Sequence, residues 1–464
     1  MLGIFDEKNG ISRRKLLTIG SLGLGGLSLP TLYAGGGSEG GAVTGKSVIF
    51  LFQQGGPSQF ETFDPKMEIP LGNRTIGGCI PTSIPGITFG STMERLAKLA
   101  HKLTIVRSFY TNNGGHNIKP IVGPDSLEAN IGTHYSRVVG STHPLTGMPT
   151  NAVIYPASVK PGVPGPSARG NLKATGPYGK GLAPFVPGAG GQLQEDMKLR
   201  LDRTRNDTRR QLLSRLDRLN RKVDTGGQLD GLDKLQGQAY ELILGGGVSR
   251  ALDLSQEDPH TLERYDTSAY ARKGYWNKVS RGRKGYYSAQ AATIGPLLLL
   301  ARRLCEAGCG FVTIHAGYEG VWDMHADGNN LNMVDGMEAV GRSFDHAVAA
   351  FVEDIEDRGL QDKIMLVATG EMGRTPKINK NGGRDHWARL APLLLYGGGL
   401  EGGRVIGRSD RQGGEPARDG CGPSHLISTI LRTVFDPGKL RLRPDAPREV
   451  LALSEKPPIP GLTA

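Results

Sequence analysis

Short, continuous apolar runs recur along the chain, separated by polar and glycine-rich stretches. Runs of this length, rich in β-branched residues, are typical of strands that are buried on both faces of a parallel sheet. We predict strands at residues 46–52, 103–106, 152–155, 311–314, 364–367 and 392–396.

Apolar positions three or four residues apart mark the helices between these strands. We predict helices at residues 94–99, 288–306, 334–357 and 426–435. The first follows Ser91-Thr92-Met93-Glu94, whose serine and glutamate fit a capping box. The alternation of strand, loop and helix predicts an α/β fold with a mostly parallel central sheet.

Residues 190–290 interrupt this alternation and predict a helical insertion or cap. Leu212, Leu216, Leu219 and Val223 mark one face of a charged helix within it. We interpret the charges around that face as solvated rather than as a binding surface.

The composition narrows the function only slightly. A chain of 464 residues with 38% hydrophobic residues can form one large domain or two ordinary ones. The net charge of +11 indicates a general preference for anions, but the sequence has no recognised nucleic-acid motif, so nucleic acid is not an expected partner. Four cysteines are too few for a disulfide scaffold in a chain this long.

The first residues resemble an export signal. Ser12-Arg13-Arg14-Lys15 is a twin-arginine motif, followed by a glycine-rich apolar run and a small-residue cleavage site near Ala34. We predict a signal peptide at 1–34 and a linker at 35–45; the alternative is a basic disordered tail. The twin-arginine export machinery is therefore an expected partner. The protein is expected in the periplasm or outside the cell, without a stable membrane span after cleavage.

Polar side chains cluster directly after four of the predicted strands, at residues 53–64, 111–116, 315–325 and 371–386. The carboxyl ends of parallel strands meet at one edge of a sheet, so these loops can converge there. In extended backbone, Asp323 and His325 project to the same side and could bind one ion. A set of oxygen and nitrogen ligands suits Zn, Mn or Fe better than Ca. The alternative is that these groups are solvated or pair locally for structure.

Several of these motifs together resemble a known family, the domain of unknown function 1501, whose twin-arginine-exported members are similar to sulfatases and alkaline phosphatases. The motifs that carry the resemblance are Gly55-Gly56-Pro57-Ser58, Thr62-Phe63-Asp64-Pro65-Lys66, Trp322-Asp323-Met324-His325, Gly370-Glu371-Met372-Gly373-Arg374-Thr375-Pro376 and Gly383-Arg384-Asp385-His386-Trp387. The resemblance implies one alkaline-phosphatase-like, three-layer α/β domain over residues 46–450. It also implies metal ligands on the loops after the strands: Asp323, His325, Glu371 and His386, with Asp385 beside the last.

The sequence departs from that pattern after the first strand and after Glu371. Gln53 and Gln54 follow the first strand, where active phosphatases and sulfatases carry an aspartate, and Met372 stands where a histidine or asparagine is usual. The nucleophile is therefore open, with Thr111, Ser108 and Ser58 as candidates in that order. One metal fits better than two.

The leading hypothesis is a metal-dependent hydrolase that acts on a phosphate or sulfate ester, small or polysaccharide. Zn is the expected cofactor, with Mn, Fe and Ca as alternatives. Arg374 would neutralise the anionic group through its guanidinium fork, and His386 would bind metal or act as general acid-base. His116 and Arg384 complete the predicted substrate site.

Two rival hypotheses remain: a non-catalytic binding or envelope protein that kept the fold, and a carbohydrate-binding or carbohydrate-processing partner in a sulfated-polysaccharide pathway. We expect alanine at Asp323 or His386 to lower the bound metal without unfolding the protein.

Overall fold

The computed structural model describes residues 41–187, 247–271 and 274–462. The predicted signal peptide and the helix predicted around Leu212 lie outside the described residues. Among the residues that the structure describes, no helix is both long enough and apolar enough to cross a bilayer.

A seven-stranded sheet forms the centre of the fold. Its strands, in chain order, are β1 (Ser47–Phe52), β4 (Thr104–Val106), β5 (Asn151–Ile154), β6 (Phe311–His315), β7 (Ile364–Thr369), β10 (Leu393–Gly397) and β11 (Arg404–Ile406). Across the sheet the order is β11-β4-β10-β7-β1-β6-β5. The predicted α/β class and all six predicted strands are confirmed.

The sheet is parallel except at one strand. β1 pairs in parallel with β6 and β7, β5 with β6, and β4 with β11, whereas β10 runs antiparallel to both β7 and β4. The expectation of a mostly parallel sheet is therefore confirmed, and six carboxyl ends point to one edge.

The alternation of side chains on β1 shows why helices cover both faces. Ile49 and Leu51 lie in one apolar cluster, and Val48, Phe50 and Phe52 lie in the other. Successive side chains of a strand point to opposite faces, so a run without polar residues must be buried on both sides. The result is a three-layer sandwich with the sheet in the middle.

Helices of different parts of the chain cover the two faces. The described α-helices are α1 (Glu94–Lys98), α2 (Ile131–Val139), α3 (Gly247–Leu252), α4 (Pro259–Arg264), α5 (Ser268–Ala271), α6 (Arg281–Glu306), α7 (Met333–Gly336), α8 (Arg342–Asp357), α9 (Pro423–Val434), α10 (Pro437–Arg441) and α11 (Arg448–Ser454). α1, α6 and α8 pack on the face that contains Leu51, and α2, α9 and α11 pack on the face that contains Phe50.

The predicted helix boundaries need two corrections. α6 begins seven residues before the predicted start at 288 and continues through Pro296, which lies inside the helix. The helix predicted at 334–357 is interrupted, because a π-helical turn at Met337–Gly341 separates α7 from α8. One extra residue per turn shifts the apolar face, which the periodicity of α8 alone does not reveal.

The described part of the predicted insertion packs directly on the core. Val248, Tyr265 and Trp276 belong to the same apolar cluster as Leu51. The division of the chain into a main domain and an insertion at 190–290 stays a prediction, because residues 188–246 lie outside the described part.

The stretch after β7 is not the loop that its glycines and lysines predict. β8 (Gly373–Ile378) and β9 (Arg384–Trp387) pair antiparallel as a separate hairpin. Two further short pairs, β2 (Cys79–Pro81) with β3 (Thr88–Gly90) and β12 (Arg408–Ser409) with β13 (Pro416–Arg418), also lie outside the main sheet.

The predicted capping box at Ser91 does not form. Met93 is the N-cap residue of α1 and its side chain makes no capping hydrogen bond. Instead the carboxylate of Asp345, on α8, accepts the backbone N–H groups of Arg95 at 2.9 Å and Leu96 at 2.8 Å. A side chain 250 positions away in the sequence thus supplies the oxygens that a capping residue normally provides.

This buried carboxylate predicts a pH dependence of stability. Burial raises the pKa of Asp345 from its ordinary 3.8 to about 6. The hydrogen bonds from the two backbone N–H groups favour the ionised form and oppose this rise, but burial has the larger effect. The contribution of Asp345 to the free energy of unfolding is therefore fully present below about pH 4. It is lost as the pH rises through 6. We expect the free energy of unfolding of the wild type, relative to Asp345→Asn, to fall by on the order of 2 kcal/mol between pH 4 and pH 8. Denaturant titrations at both pH values measure it; a constant difference would mean that Asp345 keeps an ordinary pKa.

Candidate metal centre

The loops that follow β4, β6 and β7 meet at the carboxyl edge of the sheet, as the parallel order requires. Nε2 of His116 lies 3.0 Å from Oδ2 of Asp323, and Nδ1 of His116 lies 2.9 Å from Oε1 of Glu371. The hairpin β8–β9 brings His386 to the same place, with Nε2 at 3.0 Å from Oδ1 of Asp323. Four residues that are widely separated in sequence thus form one cluster.

Asp323 is the centre of this cluster. Its Oδ2 contacts Nε2 of both His116 and His325 at 3.0 Å, and its Oδ1 contacts Nε2 of His386 at 3.0 Å. The side chain of Asp323 is only 5% exposed, and Nη2 of Arg374 lies 2.8 Å from its Oδ1. Three imidazole edges and one guanidinium therefore converge on a single buried carboxylate.

Three of these residues have the arrangement of a metal site. One ligand atom from each of His116, Asp323 and His386 can be chosen so that all lie within 4.8 Å of one another. Nδ1 of His386 lies 3.0 Å from the carbonyl oxygen of Gly114, and Nδ1 of His116 lies against Glu371. With each Nδ1 protonated and donating outward, each Nε2 presents a lone pair toward Asp323, as in metal-binding histidines. We call these three residues the donor triad.

Glu371 lies one hydrogen bond behind the donor triad. Its side chain is fully buried, and its two oxygens accept the backbone N–H of Gly55 at 2.8 and 3.1 Å. Gly55 has φ +114°, and a Cβ there would lie 2.7 Å from the backbone nitrogen of Asp323. Only glycine permits this approach, so the predicted Gly55-Gly56 motif positions both Glu371 and the Asp323 loop.

Arg374 is not available to a substrate, which corrects its predicted role. Its guanidinium is fully buried and lies against Asp323. It also donates to the carbonyl oxygens of Gly55, Gly56 (2.7 Å), Trp322 (3.2 Å) and Arg384 (3.2 Å). The side chain therefore holds Asp323 and the surrounding backbone in place.

Arg384 is likewise buried rather than exposed to a ligand. Its guanidinium pairs with Glu61 at 3.1 Å and lies over the ring of Phe60, 4.3 Å from the centroid. It also donates to main-chain carbonyls, including that of Arg74 at 2.6 Å. Its predicted substrate contact is not what the structure shows.

Two further predicted ligands, His325 and Asp385, are not part of the donor triad. His325 also touches Asp323, and 26% of its side chain is exposed. Asp385 is turned away: its Oδ1 accepts from Asn379 at 3.1 Å at an exposed position.

The three predicted nucleophiles all donate to other groups. The hydroxyl of Thr111 donates to the carbonyl of Glu371 at 2.6 Å, and that of Ser108 donates to the carbonyl of Asp419 at 2.7 Å. The hydroxyl of Ser58 donates to Glu61. In this arrangement each of the three acts as a structural donor.

The cluster changes the pKa of its own members. Burial alone would raise the pKa of Asp323, but the charge of Arg374 and the hydrogen bonds of the three histidines outweigh it and hold that pKa far below its usual range. Burial alone would lower the pKa of His116, but its bonds to Asp323 and Glu371 raise that pKa to about 9. The hydrogen bond to Asp323 raises the pKa of His325. Without a cation, His116 and His325 therefore hold their protons against a firmly ionised carboxylate.

A family model described as "Protein of unknown function (DUF1501)" matches residues 45–445. The chain belongs to the DUF1501 family. No curated protein matches the sequence.

Several solved structures align with most of this DUF1501 protein at low similarity. A sulfatase from Pseudoalteromonas sp. is 13% identical, with 87% of this chain and 69% of that chain covered and a TM-score of 0.35. The lipoteichoic acid synthase LtaP from Listeria monocytogenes is 9% identical over 85% of this chain and 73% of that chain, with a TM-score of 0.32. A mutant of the TAB5 alkaline phosphatase is 14% identical over 84% and 98%, with a TM-score of 0.28. TM-scores this low carry no argument about activity, so the architecture described above rests on the chain's own sheet order.

Sequence reasoning missed the part played by Gln54 and His315. Gln54 Oε1 accepts from Nε2 of His315 at 2.8 Å, and Gln54 Nε2 donates to the carbonyl of His116 at 2.8 Å. The backbone N–H of Gly317 donates to Nδ1 of His315, which fixes the tautomer, and burial lowers the pKa of His315 to about 3. Gln54 thus positions the backbone of His116.

Proposed function

We propose that this DUF1501 protein is an exported, metal-dependent hydrolase of a phosphate or sulfate ester. The observation that carries the proposal is the donor triad of His116, Asp323 and His386, in which each imidazole is anchored through Nδ1 and turns Nε2 toward one buried carboxylate. Burying a cluster of ionisable groups costs free energy, and a bound cation would offset that cost.

The donor set fits one divalent cation. Two imidazole nitrogens and one carboxylate oxygen suit Zn, and also Mn or Fe, and three protein ligands leave a position open, as in catalytic sites. Such an ion supplies Lewis acidity toward an ester oxygen and makes water a better nucleophile.

The chain's own residues have separate tasks in this proposal. Arg374 keeps Asp323 ionised and oriented, and Glu371 holds the ring of His116 in place through its Nδ1. His325 is partly exposed and has a raised pKa, so it can hold a proton at Nε2 and pass it to a leaving oxygen.

The substrate class rests on charge and family resemblance. The net charge of +11 favours an anionic partner, and the family is similar to sulfatases and alkaline phosphatases. Export rests on the twin-arginine motif at Arg13 and Arg14.

A non-catalytic binding protein is the second candidate. The observation that favours it is that the hydroxyls of Thr111, Ser108 and Ser58 all donate to other groups. No side-chain nucleophile is then ready at those positions, and hydrolysis would depend on activated water.

Elemental analysis of the mature protein tests the metal centre directly. We expect about one Zn, Mn or Fe per chain in the wild type, and a loss of at least tenfold in metal affinity for His386→Ala, since that variant removes one of three ligands. His101→Ala is the matched control, because His101 is an exposed histidine that contacts Ser83. Equal metal content in the two variants would contradict the site.

Ester panels in the metal found, with chelation and re-addition, then separate hydrolase from binding protein. Turnover that is lost with the metal and restored with it supports the hydrolase. Bound metal without turnover of any phosphate or sulfate ester favours the binding protein.

A further inference from the structure

We propose that Arg169 is the residue that recognises the negative charge of the substrate. This inference rests on the proposed function and replaces the recognition role predicted for Arg374 and Arg384. Both of those guanidiniums are fully buried and already paired with carboxylates. An ester oxygen could reach neither without displacing Asp323 or Glu61, so the anion-binding group must come from elsewhere.

The backbone of Arg169 lies next to that of a metal-ligand candidate. The side-chain nitrogen of Gln54 donates both to the carbonyl of His116 at 2.8 Å and to the carbonyl of Arg169 at 3.2 Å. One amide group thus holds the two carbonyls together. The next residue, Gly170, packs so closely on Ile118 that a Cβ would lie 2.6 Å from its side chain.

The side chain of Arg169 reaches the other loop of the site. Its Nε lies 3.9 Å from Oε1 of Glu319, which stands between β6 and Asp323. Glu319 is held by the hydroxyl of Ser167 at 2.6 Å, and the backbone N–H of Ser167 bonds to the carbonyl of Gly317. Arg169 therefore lies between the loop that carries His116 and the loop that carries Asp323.

The guanidinium of Arg169 is also available to a ligand. Its side chain is 65% exposed, and the contact to Glu319 is at the long end for an ion pair. Glu319 is only 13% exposed and keeps its hydrogen bond from Ser167, so an incoming anion can compete for this long, weak contact of the guanidinium. A planar fork of N–H donors matches two oxygens of a phosphate or sulfate group. In this proposal the ligand is a tetrahedral oxyanion, a phosphate or sulfate group bound by Arg169 beside the donor triad.

Substitutions at the two members of this pair should change anion affinity in opposite directions. Arg169→Ala should weaken the binding of inorganic phosphate or sulfate to the metal-loaded full chain by about tenfold, since a charge-assisted hydrogen bond is lost. Glu319→Gln should strengthen it by a few-fold, because the amide can still accept from Ser167 while it no longer competes for the guanidinium. Calorimetric titration measures both, and KM for 4-nitrophenyl phosphate and sulfate should move in parallel.

Arg441→Ala is the matched control. Arg441 is 67% exposed and also pairs with a carboxylate, that of Glu455 at 2.7 Å, but it lies on α10. We expect the variant to bind the anions as the wild type does. A similar loss in Arg169→Ala and Arg441→Ala would reduce the effect to net charge and overturn the inference.

Metal content separates this inference from the proposed function. Normal metal in every variant, with anion affinity that depends on Arg169, supports it. A wild type that holds metal but binds neither anion overturns the inference and leaves the metal centre intact. If the protein holds no metal but Arg169→Ala still lowers its affinity for phosphate, the anion site is supported and the metal-dependent hydrolase is rejected.

Discussion

Arg374→Ala is expected to destabilise the protein by at least about 4 kcal/mol, because it leaves Asp323 buried without its cationic partner. The substitution also leaves the buried carbonyl oxygens that accept from the guanidinium without a donor. An unsatisfied buried polar group costs roughly 1–3 kcal/mol. Those carbonyls belong to Gly55, Gly56, Trp322 and Arg384.

Denaturant unfolding measures the effect, with Arg374→Lys as the variant to use if the alanine protein does not fold. Lysine keeps the charge but not the planar fork, so we expect an intermediate loss of about 2 kcal/mol or more. Arg389→Ala is the control: Arg389 is 53% exposed and pairs with Glu415 at 3.2 Å on the surface, so its loss should change stability by less than about 1 kcal/mol. An Arg374→Lys protein of wild-type stability, with a raised KM for anionic esters, would return Arg374 to the substrate site.

The strands could be predicted from the sequence because their signal is local. The run at 364–367 has no polar residue, and it is buried because both faces of β7 are covered. The convergence of the polar loops followed from the same reasoning, since six strands of one direction place their carboxyl ends at one edge.

The roles of individual polar groups could not be predicted in the same way, because contacts between distant segments decide them. The glycine-rich sequence around Arg374 predicts an exposed arginine. In the structure, Arg374 belongs to the hairpin β8–β9 and is buried against Asp323. Gly383 then lies so close to His325 that a Cβ would be 2.5 Å from its backbone. One hydrogen bond of 2.9 Å joins His116 to Glu371, with His116 in the donor triad and Glu371 behind it. Residue spacing does not encode this arrangement.

Asp323→Ala should remove both the metal and much of the stability, unlike His386→Ala. The sequence alone suggested that alanine at either position would leave the fold intact. The structure separates the two residues: Asp323 is 5% exposed and opposes the buried Arg374, whereas His386 is 30% exposed. Truncating one partner of a buried pair leaves the other charge uncompensated, which typically costs about 3–5 kcal/mol.

Asp327→Ala is the matched control, since Asp327 lies on the same loop with 36% of its side chain exposed and its carboxylate 3.8 Å from His325. We expect it to keep its metal and to lose less than about 1 kcal/mol. Elemental analysis and denaturant unfolding of the three variants give two separate readouts.

The double variant Asp323→Ala with Arg374→Met identifies the cause of the instability. If the uncompensated guanidinium is responsible, the two changes together should cost less than the sum of the single changes, by more than about 1 kcal/mol, while metal binding stays absent. Strict additivity would show that Asp323 and Arg374 do not act as a pair. Metal retained in Asp323→Ala would instead remove Asp323 from the ligand set, and with it the reason for three histidines to converge there.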